Sequence, residues 1–556
     1  MAAAPRSNMD EPAKANARLS SEFRSSRFDQ GSSRMVKVII QYKQPVFAAQ
    51  EVPGERDMKN QGARLHTRFS SIRAVVMSVP AWMIPQIAKN PNVAYVTPDR
   101  AVQMSSGDED PISATTRDVA ATQFSVNGTG VGVAVIDSGV SDHTDLHNAS
   151  GASRIVYNES FVAGDTTTGD KYGHGTHVAG IIAGNGASSG AYAMSHAGMA
   201  GGANIINLRV LDQNGAGTDS QTIAAIQRAI ALKSTYNIRV INLSLGRGIW
   251  ESYTLDPLCQ AVEAAWKAGI VVVVAAGNSG RDNSMATNGY ATIGAPGNDP
   301  YVLTVGATRT HGTSTRVDDA ITSYSSKGPS LGDHIVKPDM VAPGNRIGSL
   351  RVAGSTLDTN CSQYREYPVG GGTAQYFRLS GTSMATPVVS GAVALLLQQT
   401  SSLKPDQVKA RLMKTAWKGF TQYTSSLDVY NNSYSNQYDI FSYGAGYLDV
   451  SAALNNTDLA SGVALSPTAT RNLLTGTVSL SNTLISNTSV VWGSSVVWGN
   501  SVVWGNSTLG SNSVVWGNSV VWGNTLLSGN SVVWGNSVVW GNSVMNALSS
   551  DEDGEN

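Results

Sequence analysis

The sequence predicts an α/β fold whose central parallel sheet is flanked by helices, preceded by a small α+β unit and followed by a β-forming repeat. Three observations carry this. Between about Thr116 and Leu454, short apolar runs without polar alternation take turns with amphipathic helical patterns, the signature of parallel strands buried on both faces. Residues 35–103 mix strand and helix patterns at a shorter scale, and from Thr477 the chain repeats every six residues.

Taken in chain order, residues 1–34 are polar and aperiodic and are expected to be a disordered leader. Within 35–103 the expected elements are a strand over Met35–Tyr42, a helix near Asp57–Arg68, a strand over Ile72–Val79, a helix over Ala81–Lys89 opened by Pro80, and a strand in Asn92–Thr97. Residues 104–115, with Asp108, Glu109 and Asp110, read as an exposed linker. In the large unit, 116–457, strands are expected at Val131–Ile136, Ile205–Val210, Val240–Leu245, Ile270–Ala275 and Val302–Val305, with helices at Ser220–Lys233 and Leu258–Ala268. A second linker over 458–476 leads to the repeat, 477–548, and an acidic end, 549–556. The repeat holds eleven hexads, seven of them carrying SVVW, with Trp492, Trp498, Trp504, Trp516, Trp522, Trp534 and Trp540 in one phase. Six is even, so side-chain parity survives from unit to unit in a strand; a β-meander and a hexapeptide coil both satisfy the pattern.

The 556 residues call for about two to four folding units. With 41% hydrophobic and 14% charged residues the chain can bury a large core. A net charge of −1 gives no reason to expect nucleic acid as partner, yet it conceals a gradient: +7 over 1–103, −4 over 104–476 and −4 over 477–556. Two cysteines, Cys259 and Cys361, permit one disulfide at most and exclude a disulfide scaffold. No apolar run is long enough for a transmembrane helix, and the first residues lack the apolar core of a secretory signal.

Three residues stand where chemistry is expected. Asp137 ends the apolar run VGVAVI, placing a carboxylate at the carboxyl end of a buried strand. His174 sits in DKYGHGTHVAG at the mouth of a small-residue helix; the HGTH spacing lacks the glutamate and interval of a zinc protease, so His174 reads as an accessible base and His177 as a packing histidine. Ser383, in LSGTSMATP, opens a long apolar helix, where unpaired N–H groups face any oxyanion that forms, and Gly381 before it permits close approach of a substrate backbone.

VAVIDSGV, GHGTHVAG, VINLSLG, AAGNSG and LSGTSMATP, in that order, resemble the subtilisin-like serine proteases over about 340 residues. The resemblance implies a subtilisin-like fold and peptide-bond hydrolysis through an acyl-enzyme: Ser383 as nucleophile, His174 as base and then acid, Asp137 as its orienter, and Asn278 as side-chain oxyanion donor. It also implies that Ser244, Leu245 and Gly246 and the facing Ala276 and Gly277 bind an extended substrate, with Gly294 at the floor of a pocket for a large apolar side chain before the scissile bond. No cofactor is required for catalysis on this reading. Structural calcium occurs among such proteases, and Asp145 matches one acidic ligand, but the loop Gly184–Ser195 departs from the usual pattern and no metal site is assigned. A further departure is an insertion around Leu350–Arg378.

Residues 35–103, ending in NPNVAYVTPDRAVQ, resemble the inhibitor-type prodomain of these enzymes, a ferredoxin-like βαββαβ module, which implies self-cleavage between Gln103 and Thr116 and an intramolecular inhibitor as partner. The family places such enzymes outside the cell. The repeat is expected to self-associate or bind a surface. The competing expectation is a catalytically idle surface or assembly protein that keeps the fold.

Overall fold

The structure is a computed structural model describing residues 16–25, 28–29, 31–103, 124–313, 315–420, 423–428, 432–471, 478–481, 502–504 and 520–522. The expected linker at 104–115 and most of the repeat lie outside these residues.

The small unit is a four-stranded antiparallel sheet of β1 (Met35–Tyr42), β2 (Arg64–Phe69), β3 (Ala74–Pro80) and β4 (Val93–Pro98) in the order β2-β3-β1-β4. With helices at Glu55–Asn60 and Ile84–Lys89 this is the βαββαβ order. The period of two divides its sheet cleanly. Val38, Ile40, Val75 and Met77 face the unit's own helices, whereas Ile39, Ala74 and Val76 join the core of the large unit. A short strand, β5 (Ala101–Gln103), then leaves the sheet.

Two expectations fail here. The helix placed at Asp57–Arg68 ends at Asn60, because Gly62 takes φ +98° and turns the chain into β2. The leader is not disordered throughout: in residues 16–25, Leu19 and Phe23 are buried, and Ser20 N–H donates to Val96 O while Val96 N–H donates to Arg18 O. Sparse apolar residues at 19 and 23 suffice because the segment pairs with the free edge of β4 and both side chains join the unit's own core.

In the large unit β6 (Gly132–Asp137), β7 (Ile155–Ser160), β8 (Asn204–Arg209), β10 (Ile238–Leu243), β11 (Val271–Ala275), β12 (Leu303–Arg309) and β13 (Ala320–Ile321) form one sheet in the order β13-β12-β11-β10-β6-β8-β7, with β14 (Met340–Pro343) beside β12. The intervening β9 (Ala216–Thr218) lies outside it. All pairs are parallel except β12 with β13, so the sheet is mixed but mostly parallel. The parallel arrangement brings the carboxyl ends of β6, β10 and β11 to one edge. Asp219–Tyr236 starts with a full capping box, Thr218 with Gln221, and Pro257–Lys267 is capped by Asp256. Among the described residues no helix is long and apolar enough to cross a membrane.

The stretch expected as a second linker is, over 458–471, docked on the large unit. Ser466 Oγ donates to the buried Asp339 carboxylate at 2.5 Å and Ala464 and Ala469 are buried, so the segment completes a polar site inside the body. Cys259 and Cys361 are both free thiols. In the repeat, Val502–Trp504 pairs in parallel with Val520–Trp522, each position facing the one three hexads later.

Candidate active site

Asp137, the last residue of β6, is fully buried, and its carboxylate accepts from His174 Nδ1 at 3.0 Å and 3.2 Å and from the Ser138 N–H at 2.7 Å. His174 opens the helix His174–Ala183. The close approach depends on Gly175, where a Cβ would lie 2.2 Å from Gly139 O and 3.1 Å from Asp137 Oδ1. One ring nitrogen of His174 is thus fixed on Asp137; the other, Nε2, is buried without a hydrogen-bond partner among the described residues. His177 is packed as expected, Nε2 bonding Ile347 O at 3.0 Å and Phe377 O at 2.9 Å, with burial pushing its imidazole down to about 3.

Ser383 lies in the first turn of Thr382–Gln399, after Gly381 at φ +147°. Its Oγ donates to Ser244 O at 3.0 Å, and Ser244 Oγ donates in return to Ser383 O at 2.8 Å. Ser383 O is available because Pro387, four residues on, has no N–H to give it. The Ser383 N–H, in the first turn, has no partner within the helix. Asn278 follows β11, and its Oδ1 accepts from Thr382 N–H at 2.9 Å and Thr382 Oγ1 at 2.8 Å, which leaves the Nδ2 end outside this pair of bonds.

The expected substrate-binding residues lie on two walls that continue the neighbouring parallel strands β10 and β11. Ser244, Leu245 and Gly246 continue from β10; Ala276 and Gly277 continue from β11, where Ala276 N–H donates to Val305 O at 3.0 Å. The walls are tied at Arg247 and Ala295 by reciprocal backbone bonds of 2.9 Å and 2.7 Å, and Gly294 N–H donates to Ala276 O at 3.0 Å. Gly294 packs face on to Arg247 O, where a Cβ would come within 3.0 Å.

Residues that sequence reasoning did not single out hold this geometry. Asp170, fully buried with its carboxyl pushed up by burial, accepts from the N–H groups of Gly173 and Thr176 and from Ser138 Oγ, capping the His174 helix. A carboxylate four residues ahead of HGTH was a visible capping signal. Thr382 orients Asn278; Asn242 and Ser390 join β10 to the Ser383 helix through bonds of 2.9 Å and 2.8 Å that run through Ser244 Oγ and Asn242 Oδ1. The insertion folds as a small sheet of Ile347–Leu350, Tyr376–Leu379 and Arg365–Glu366, and packs on the loop entering His174, where Leu357 N–H donates to Tyr172 O at 2.9 Å.

Calcium does not fit at Asp145. Its Oδ1 accepts from Ser188 N–H at 2.8 Å and its Oδ2 from the Tyr376 hydroxyl at 2.7 Å. The surrounding carbonyls face a cation of the protein's own: Arg154 donates to Asp145 O at 2.9 Å, Ala183 O at 2.6 Å and Ala203 O at 2.7 Å. Six to eight free oxygens are what calcium asks for, and these are already engaged.

Residues 128–446 match the model of the subtilase family of serine peptidases. The chain is 36% identical to serine protease AprX of Bacillus subtilis (strain 168) over 68% of its own length and 82% of the relative's, and 32% identical to subtilisin E of the same organism over 76% and 91%. Fervidolysin from Fervidobacterium pennivorans, described as a keratinolytic enzyme related to subtilisin, shares the fold with a TM-score of 0.56 at 22% identity, over 80% of this chain and 63% of that one. The chain belongs to the subtilase family and is a serine endopeptidase.

Proposed function

We propose that hydrolysis runs through Asp137, His174 and Ser383, with Asn278 Nδ2 and the Ser383 N–H receiving the oxyanion. The observation that carries this reading is the pairing of a strand-end carboxylate with one nitrogen of His174 while the other nitrogen is left without a partner. In the reacting state Ser383 Oγ turns from Ser244 O to His174 Nε2. It attacks the scissile carbonyl as Nε2 takes its proton, and the C–N bond breaks as that proton passes to the leaving amine; water then repeats the sequence on the acyl-enzyme. Asp137 holds the Nδ1–H tautomer and offsets the charge of the imidazolium. This coherent arrangement gives no support to the idle-protein alternative.

The substrate lies extended between the two walls, with a large apolar side chain above Gly294. The small unit is read as an inhibitor-type prodomain: its basic charge suits the acidic body, and β5 lies antiparallel on β9, Ala101 opposite Thr218 and Gln103 opposite Ala216, as a product strand would. Such an enzyme acts outside the cell, and the uncharged repeat serves self-association or attachment to a surface. Purified wild-type chain is expected to be cut between Gln103 and Thr116, and Ser383→Ala to stay whole; cutting of the variant at the wild-type rate would refute self-processing.

A further inference from the structure

The segment that leads into β5 carries one side chain that the body holds with unusual completeness. Asp219 N–H donates to Arg100 O at 2.6 Å, so the backbone pairing with β9 begins at Arg100. Its guanidinium reaches into the body, where Nη1 and Nη2 donate to Glu251 Oε1 and Oε2, both at 2.6 Å, with Cζ 6.0 Å from the Trp250 ring centre. Glu22, from the small unit's own N-terminal segment, takes the other side of the fork at 3.1 Å and 2.5 Å.

Glu251 is nearly buried, its side chain 4% exposed, and its hydrogen-bond partners among the described residues, Arg100 and Thr97 Oγ1 at 3.3 Å, come from the small unit. The nearby body cation is committed elsewhere: Arg247 bonds Asp219 at 2.8 Å and Asp256 at 2.8 Å. Departure of the small unit therefore removes Arg100, Thr97 and Glu22 together and leaves a body carboxylate at the edge where a substrate strand would lie. The uncovered carboxylate then faces solvent without the cation that held it, and a strand laid along β9 in the register of β5 puts its own side chain where Arg100 was, re-forming the charge-assisted fork.

We propose that Glu251 is a specificity-determining carboxylate, selecting arginine in protein substrates at the position just before the three residues that pair with Ala216–Thr218. The proposal rests on the reading that substrates occupy the edge held by Ala101–Gln103. Arginine is favoured over lysine because its planar fork meets both oxygens at once and stacks on Trp250.

The test uses processed enzyme and quenched fluorescent peptides of sequence 97–116, with arginine, lysine or alanine at the position of Arg100, beside an unrelated denatured protein as general substrate. Wild-type enzyme is expected to cut the arginine peptide about tenfold more efficiently in kcat/KM than the alanine peptide, with lysine between them. Glu251→Gln brings the arginine-to-alanine ratio near one and Glu251→Asp keeps part of it; the ratio is internal to each enzyme and insensitive to how much of a variant folds. Equal efficiency on the two peptides by wild-type enzyme overturns the role of Glu251 while leaving the protease reading intact. Failure to cut any of the peptides, by enzyme that does digest the denatured protein, overturns the shared strand edge and this proposal with it.

Discussion

Thr382→Val isolates the orientation of the oxyanion donor from the donor itself. Valine keeps the shape of the side chain and the backbone N–H bond to Asn278 Oδ1, but removes the Oγ1 bond of 2.8 Å. It also strips the acceptor from the Gly277 N–H, which donates to Thr382 Oγ1 at 3.1 Å. Loss of one neutral hydrogen bond and one orphaned donor comes to about 1–2 kcal/mol. Falling on the transition state, that is about a five- to thirtyfold loss of kcat with KM little changed. The ceiling is loss of the donor, about 100- to 1000-fold for Asn278→Ala, a range measured in a subtilisin rather than worked from this structure. The assay is steady-state hydrolysis by both single variants and the double variant. In the Asn278→Ala background, Thr382→Val is expected to cost clearly less than in the wild type, keeping only the share that comes from the Gly277 N–H, since there is no amide left to orient. A full-sized loss in that background, or no loss in the single variant, refutes the argument.

Two other perturbations read the surroundings of the site. Asp145→Asn is expected to lower thermal stability by about 1–3 kcal/mol, equally in millimolar calcium and in chelator, because its partners are Tyr376 and Ser188; a calcium-dependent gain in wild-type melting temperature that the variant lacks contradicts the poor fit. His177, held at about 3 when folded against an unfolded value near 6.5, binds its proton more readily in the unfolded chain. Its contribution is therefore whole above about pH 6.5 and is lost as pH falls toward 3, so His177→Asn should flatten the acid limb of urea midpoints measured in the Ser383→Ala chain. An unchanged limb would assign the acid loss to other groups.

Much of the fold and site was legible because local chemistry and tertiary role coincide. β-branched apolar runs as short as Val271–Ala275 suit buried strands, and Asp137, His174 and Ser383, each with a glycine within two residues, sit where strand ends and helix mouths converge. What was illegible depended on partners remote in sequence. Arg64–Phe69 forms a strand only because β3 pairs with it, with a register shift between Leu65 and Thr67. Leu19 and Phe23 order the N-terminal segment through a strand more than seventy residues later. Arg100 and Glu251 carry no motif; only the docked chain shows that they meet. Asp170 is the exception, since its capping position ahead of His174 could have been read.

The most direct test of the account is labelling of processed protein with a serine-directed organophosphate or sulfonyl fluoride, followed by peptide mass spectrometry. The account predicts one modification, at Ser383, abolished in Ser383→Ala and strongly slowed in His174→Ala because the base is gone. A processed protein that hydrolyses peptide bonds yet carries no label on Ser383, or carries it on another serine, would contradict the account.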